Sequence, residues 1–372
     1  FMGQRLTEIL DYLELWRPDS FKTPSNPAGV LLVSSGGIGD TLLFRLMVAR
    51  FQTLLRKGET LHLVVRSASA QAKFLFGEGI TVHAYDYPKF LKDRSYRRLV
   101  CWELQSLGVR VAGSTDHLRH PLIDDVMVRA TSAPEKFALK PRSWPKYDRL
   151  LHRYSKQYHS LIRVPEKMEH RLVRWWRLAN SVTGENLLLP KVRLSPDVLP
   201  PPNKSDHPRT MLHPFSVIRE RQHSVKTFQT VLNALPVDME VLLSAGPGDI
   251  DRNPEFLQLL DDPRVRIDES SLEQKAATLQ DVQLLVSVDT SIMHLGVLAG
   301  APTICLATAA HVRDSVPYDD RTMPDNVIFL YHDMDCRMCL GNCILKLEDD
   351  RYPCIALLDL QLVLDAIVSK GI

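Results

Sequence analysis

The chain has 372 residues, 45% of them hydrophobic and 24% charged, with 46 basic against 44 acidic side chains. That length exceeds one ordinary core and suits two globular domains, and a net charge of only +2 excludes a general nucleic-acid binder. No apolar run approaches the roughly 20 residues of a membrane span, and the opening "FMGQRLTEILDYLELWRPDS" lacks a charged-then-apolar export pattern, so a cytoplasmic protein is expected.

Leu6, Ile9, Leu10, Leu13 and Trp16 recur at helical spacing and predict an amphipathic helix over 6–16. "VLLV" at 30–33 is a continuous apolar run, as in a buried parallel strand. The turn "SSGGIGD" follows it, then a helix over 41–57, a strand over 61–67, a helix near 69–76 and a strand over 80–86. Such alternation marks a parallel sheet with helices on its faces. Residues 145–182 read as helical. Between Lys136 and Arg177 the basic residues outnumber Asp148, Glu166 and Glu169, and Trp144, Tyr147, Tyr154, Tyr158, Trp175 and Trp176 lie among them. The stretch is either solvated helices with aromatic core contacts or a surface for an anionic partner: a phosphorylated glycan, or the anionic face of a membrane.

"RLSPDVLPPPNKSDHPR" at 193–209 has the composition of an interdomain linker. Alternation then restarts: strand at 210–215, helix at 225–235, strands at 239–246 and 282–289, helix at 291–299, strand at 301–307, last helix at 356–370. Two α/β halves joined by a proline-rich segment predict two Rossmann-like domains with parallel sheets facing across a cleft.

Two strand-to-helix turns carry candidate chemistry. In "SVDTSIMHLGVLAGAP" the strand ends at Asp289, Thr290 is a good N-cap, and Gly300 and Pro302 end the helix. The free N–H groups of such a helix start, with its dipole, form an anion site at the carboxyl edge of a sheet. An acid beside it suits sugar hydroxyls rather than the phosphate. In "SSGGIGDTLLF" the glycines admit close approach to the backbone, and Asp40 arrives at the helix start. Each turn also has a plainer reading, a capped β-α unit. Together they are what group transfer needs: a base on one side and a held leaving group on the other.

"GGIGDTLLF" with "SVDTSIMHLGVLAGAPTICLA" resembles glycosyltransferase family 9, the family of the lipopolysaccharide heptosyltransferases. The resemblance spans residues 28–370, with 90–205 matching only in outline. It implies an α/β chain of the GT-B fold: an acceptor-binding domain over 1–195, a donor-binding domain with the cysteine cluster over 209–355, and a helix over 356–372 returning to the first domain. It implies inverting transfer of a heptose from an ADP-heptose-like donor, without a catalytic metal. The acceptor stays open between an anionic cell-surface glycan and a protein, and peripheral contact with the inner membrane stays open beside a purely cytoplasmic place. Its catalytic aspartate falls on Asp40. Its donor-site residues fall on Asp289, Thr290, Ser291 and His294, and its diphosphate-contacting lysine on Arg221, which can clamp phosphate in turn. Asp249, beside the "SAGPGD" turn, would take the ribose hydroxyls. Gly39 and Arg66 would meet the acceptor. The chain departs from the pattern at Ser291 (usually glycine), Leu46 (usually proline) and His223–Ser224 (usually Trp-Pro). Two other classes stay open: a nucleotide-sugar epimerase on the same fold, and a non-catalytic sugar-nucleotide binder.

Cys336, Cys339, Cys343 and Cys354 have the spacing C-x2-C-x3-C-x10-C, which suits a tetrahedral structural zinc or iron, with four free thiols as the alternative. The resembled family includes a protein-heptosylating branch with an iron-bearing cysteine finger. Cys101 and Cys305 stand alone and read as buried thiols.

Overall fold

The computed structural model describes residues 25–165 and 168–372; the helix expected over 6–16 lies outside them. The chain divides into two compact units. One runs to Glu166 and takes up again at Arg174–Leu188; the other comprises Lys167–Val173 and Leu189–Ile372.

The first unit is built on a six-stranded sheet: β1 (Val30–Val33), β2 (Leu61–Arg66), β3 (Ile80–Tyr85), β4 (Val111–Ser114), β5 (Glu135–Leu139) and β6 (Ser160–Ile162), in the order β3-β2-β1-β4-β5-β6. Every pairing is parallel, with Val30 opposite Leu61 on one side and Val111 on the other. All four residues of β1 are buried, because helices cover both faces of a parallel sheet. Gly113 is required in β4, since a Cβ there would collide with the Phe137 ring on the next strand. The aromatics of the basic stretch settle into this core. Tyr147, Tyr154 and Tyr158 are buried with Leu150 and Leu151, while Lys146, Arg149 and Arg153 face solvent. The segment expected to be helical throughout is two helices, Asp148–Ser155 and Arg171–Thr183, with edge strand β6 between them.

The second unit repeats the topology with β7 (Arg209–His213), β8 (Glu240–Ser244), β9 (Val265–Asp268), β10 (Leu284–Val288), β11 (Thr303–Leu306) and β12 (Val327–Leu330), in the order β12-β11-β10-β7-β8-β9, again all parallel. In both units the fourth strand pairs with the first, so the direction of winding reverses between β1 and β4 and between β7 and β10. Ligands of open α/β sheets bind outside the carboxyl ends of the strands at such a reversal.

One segment differs from the sequence reading. The proline-rich segment is not a free linker. Leu194 N donates to Leu298 O, Asn203 N to Ala277 O, and Gln280 Nε2 to Pro200 O, so its backbone is tied to two helices of the second unit. The closing helix Leu360–Ser369 is part of the second unit. It packs on helix Val225–Ala234 and on β11 and β12, and its Val363, Ala366 and Ile367 complete the second core.

Candidate functional site

At the first reversal, β1 runs into Ser34–Gly37 and the helix Ile38–Gln52. Asp40 is the third residue of that helix. Its Oδ2 accepts from Gly37 N at 2.8 Å, a backbone cap of the helix start. This fold-back explains Gly36, where a Cβ would strike the Asp40 side chain. Gly39 lies in the same turn. Arg66, at the exposed end of β2, stands over the Tyr87 ring with its guanidinium 5.7 Å from the centroid.

Two acids that sequence reasoning missed complete this edge. Asp116, just past β4, accepts from Ser35 N at 2.7 Å and Ser35 Oγ at 2.9 Å, so it holds the start of the glycine turn. Asp124 is fully buried below it, with Oδ2 accepting from His120 N at 2.7 Å. Burial, then the charge of Asp116, push the Asp124 carboxyl up to about 7. Asp124 Oδ1 and the Tyr87 hydroxyl are buried without hydrogen-bond partners among the described residues.

At the second reversal the chain leaves β7 through Pro214–Gln222, and Ser224 caps helix Val225–Ala234 by accepting from Thr227 N at 3.2 Å. Arg221 Nη2 meets Asp289 Oδ2 at 2.9 Å; their side chains are 17% and 6% exposed. The structure thus joins two residues 68 positions apart, and the Arg221 Nε has no partner among the described residues. Thr290 is the N-cap of helix Ser291–Ala299, but no side chain caps it, so the first-turn N–H groups lack the acceptor that a capping side chain would supply. His294 lies on the same helix. It is buried, with Nδ1 2.7 Å from the Tyr318 hydroxyl, and burial drives it down to about 4, so it is a neutral core imidazole. Asp249 sits in its own turn after β8, where Oδ2 accepts from Gly246 N at 2.7 Å and Oδ1 pairs with Arg252 at 2.6 Å. It caps as well as presenting a carboxylate, and the geometry does not join it to the Arg221–Asp289 pair.

His311 was also missed. It follows β11, its Nδ1 is buried without a partner among the described residues, and it lies in the fields of Asp289 and Arg221 while burial lowers its pKa. A cavity of about 500 Å³ in this unit is lined by Glu169, His170, Arg313, Tyr318, Asp319 and Tyr331, and His311 is not part of its lining. Cys101 and Cys305 are buried as expected, and burial raises the Cys305 thiol far above its ordinary range, which makes it inert.

Cys336, Cys339 and Cys343 are partly buried and Cys354 buried, all unpaired. They are neighbours. Burial and then the charges of Cys339 and Cys343 raise Cys336, and burial with all three others acting against it raises Cys354. An all-thiolate donor set suits zinc or iron, yet no three His, Cys, Asp or Glu side chains converge as metal ligands among the described residues.

No family model and no curated protein matches the chain. Solved structures do match. The Escherichia coli heptosyltransferase WaaC with ADP-2-deoxy-2-fluoro heptose is 15% identical, with a TM-score of 0.62 over 92% of this chain and 99% of that one. The glycosyl transferase family 9 protein of Veillonella parvula DSM 2008 is 14% identical, with a TM-score of 0.65 over 94% and 99%. The iron-containing dodecameric glycosyltransferase TibC of enterotoxigenic E. coli H10407 is 12% identical, with a TM-score of 0.53 over 94% and 78%. What the chain shares with them is the fold, and its two six-stranded parallel sheets make that fold GT-B, as the sequence predicted.

Proposed function

We propose that the protein is an inverting glycosyltransferase of the family 9 type, transferring a heptose from ADP-heptose to a hydroxyl of an anionic glycan or protein. The observation that carries this reading is the Arg221–Asp289 pair at 2.9 Å beside a helix start with no side-chain cap, at a topological switch point. An arginine and free N–H groups suit a diphosphate, and a carboxylate next to them suits the hydroxyls of the sugar it carries.

In the reaction, the acceptor oxygen attacks the anomeric carbon as Asp40 takes its proton. The bond from that carbon to the diphosphate oxygen breaks, and its electron pair leaves with the nucleoside diphosphate. Arg221 and the N–H groups of Thr290 and Ser291 meet the charge growing on the leaving oxygen. Asp249 takes the ribose hydroxyls. His294 shapes the donor site from behind through Tyr318. Gly39 and Arg66 hold the acceptor. The protein works in the cytoplasm with peripheral contact at the inner membrane, and no helix among the described residues is long and apolar enough to cross one.

A panel of sugar nucleotides in thermal unfolding tests the donor, because a ligand that binds only the native state raises its Tm. ADP-heptose should raise it most. Equal shifts from every sugar nucleotide would overturn the donor assignment. Donor turned over to another sugar without acceptor would mean an epimerase, and binding without turnover a non-catalytic binder.

The four clustered cysteines belong to the same proposal as ligands of one structural zinc or iron, which would draw their thiolates together. Protein purified under reducing conditions should carry one such ion per chain, and its absence by metal analysis would leave four free thiols.

A further inference from the structure

Arg221 sits at the end of an excursion of eleven residues between β7 and helix Val225–Ala234, whose tip exposes Val217 and Ile218. A loop of that length must be ordered before an arginine on it can clamp anything, and the ordering costs entropy. Part of that order is internal, with Gln222 Nε2 donating to Ser216 O at 2.7 Å and Arg221 N to Ile218 O at 3.1 Å, and two further hydrogen bonds come from the cysteine segment. Tyr352 N donates to Glu220 O at 3.0 Å, and Arg351 Nε donates to Gln222 O at 3.1 Å, so the residues on both sides of Arg221 are held. Arg351 is itself aimed by Nη1 donating to Asp349 O at 2.7 Å and by its pairing with Glu348.

The other limb of the segment grips a second loop. Met338 N donates to Ala309 O at 3.0 Å and Leu340 N to Ala310 O at 2.9 Å. Met338 and Leu340 reach these positions in left-handed backbone, at φ 69° and 54°. Cys354 and Ile355 bury against Ala309 with Tyr331, Met334 and Tyr352. Ala309 and Ala310 lead directly to His311, which lies in the fields of Asp289 and Arg221. The segment therefore ties together two loops that flank one ion pair.

We infer that Arg351, with the Tyr352 backbone, is a positioning residue for Arg221, so that the segment Cys336–Cys354 acts as a brace pre-organising the diphosphate clamp. The inference rests on the reading that Arg221 meets the diphosphate. It also explains why a cluster of cysteines with no place in the chemistry lies beside the donor site.

The test is calorimetric titration with ADP. Arg351→Met keeps the apolar stem and removes the donors. The loss of a hydrogen bond that orders the loop should weaken ADP by about threefold to tenfold. A merely structural role would lower the Tm and leave the affinity of the folded protein alone. In an Arg221→Ala background the same change should cost nothing further, because its effect passes through Arg221. Should Arg351→Met fold poorly, Arg351→Lys keeps charge and stem but lacks the Nε–H, and the same fall is expected. Unchanged ADP affinity in Arg351→Met and Arg351→Lys, or an equal loss with and without Arg221, overturns the brace. Unchanged affinity in Arg221→Ala alone overturns the donor-site reading instead, and the brace with it.

Discussion

The two units place opposite chemistry at equivalent points of one topology. Where β1 and β4 diverge, carboxylates gather: Asp40 folded onto Gly37, Asp116 on Ser35, and Asp124 beneath, pushed up to about 7. Where β7 and β10 diverge, an arginine is locked to one carboxylate at 2.9 Å and a helix start without a side-chain cap stands beside it. The first edge suits accepting a proton and the second suits holding an anion. The sheet supplies the crevice in both cases, and three or four side chains decide what enters it.

The largest break in that contrast should come from Asp40→Asn, which keeps the shape and removes the basicity. Release of nucleoside diphosphate in the presence of acceptor should fall by about 10²–10⁴. A rate near that of the unaltered protein would leave Asp40 as a helix cap.

Arg221→Ala should weaken nucleoside diphosphates by about 10- to 100-fold, the worth of a charge-assisted contact. It also strands the Asp289 carboxylate, at a stability cost of about 3 kcal/mol. The double variant Arg221→Ala with Asp289→Asn should recover stability in chemical denaturation but not affinity. Recovery of both would mean that the pair is structural.

The pH dependence sharpens the comparison. Burial holds histidines neutral in both units, His62 and His120 at about 4 in the first and His213, His223 and His294 at about 4, 3 and 4 in the second. The unfolded chain binds their protons from near pH 6.5 downward, so this stability is full above that value and is lost as pH falls toward 4. Asp124 runs the other way. Its raised pKa makes the folded state bind the extra proton, so stability is lost as pH rises from about 4 to 7. Asp124→Asn should therefore raise the Tm at pH 8 by about 2–4 °C and change little at pH 4. An equal shift at both values would show that the Asp124 charge is not the cause.

The turns were the legible part of the sequence. Gly36, Gly37, Asp40, Asp289, Gly300 and Pro302 punctuate apolar runs, and helix Ser291–Ala299 has the predicted bounds. Strands β4, β5, β6, β9 and β12 were not read. They are three to five residues long, and "VAGS", "EKFAL" and "VRID" carry glycine or charge where an apolar run is sought. With β4 went Asp116, although "VAGSTD" has the same strand-then-acid form as "VSVDT" and could have revealed it. The proline-rich segment misled because composition marks a turn-rich path and says nothing of what its carbonyls accept. The grip on Glu220 and Gln222 was illegible for a related reason: both acceptors are backbone, and any residue supplies them.

The central claim is that proton transfer belongs to the first edge and diphosphate binding to the second. Measuring the ADP dissociation constant and the acceptor-dependent release rate on Asp40→Asn and Arg221→Ala tests it most directly. The account predicts ADP affinity within about twofold of the unaltered protein for Asp40→Asn while its rate collapses, and weakened affinity for Arg221→Ala. Loss of ADP binding by Asp40→Asn in step with its rate would contradict it.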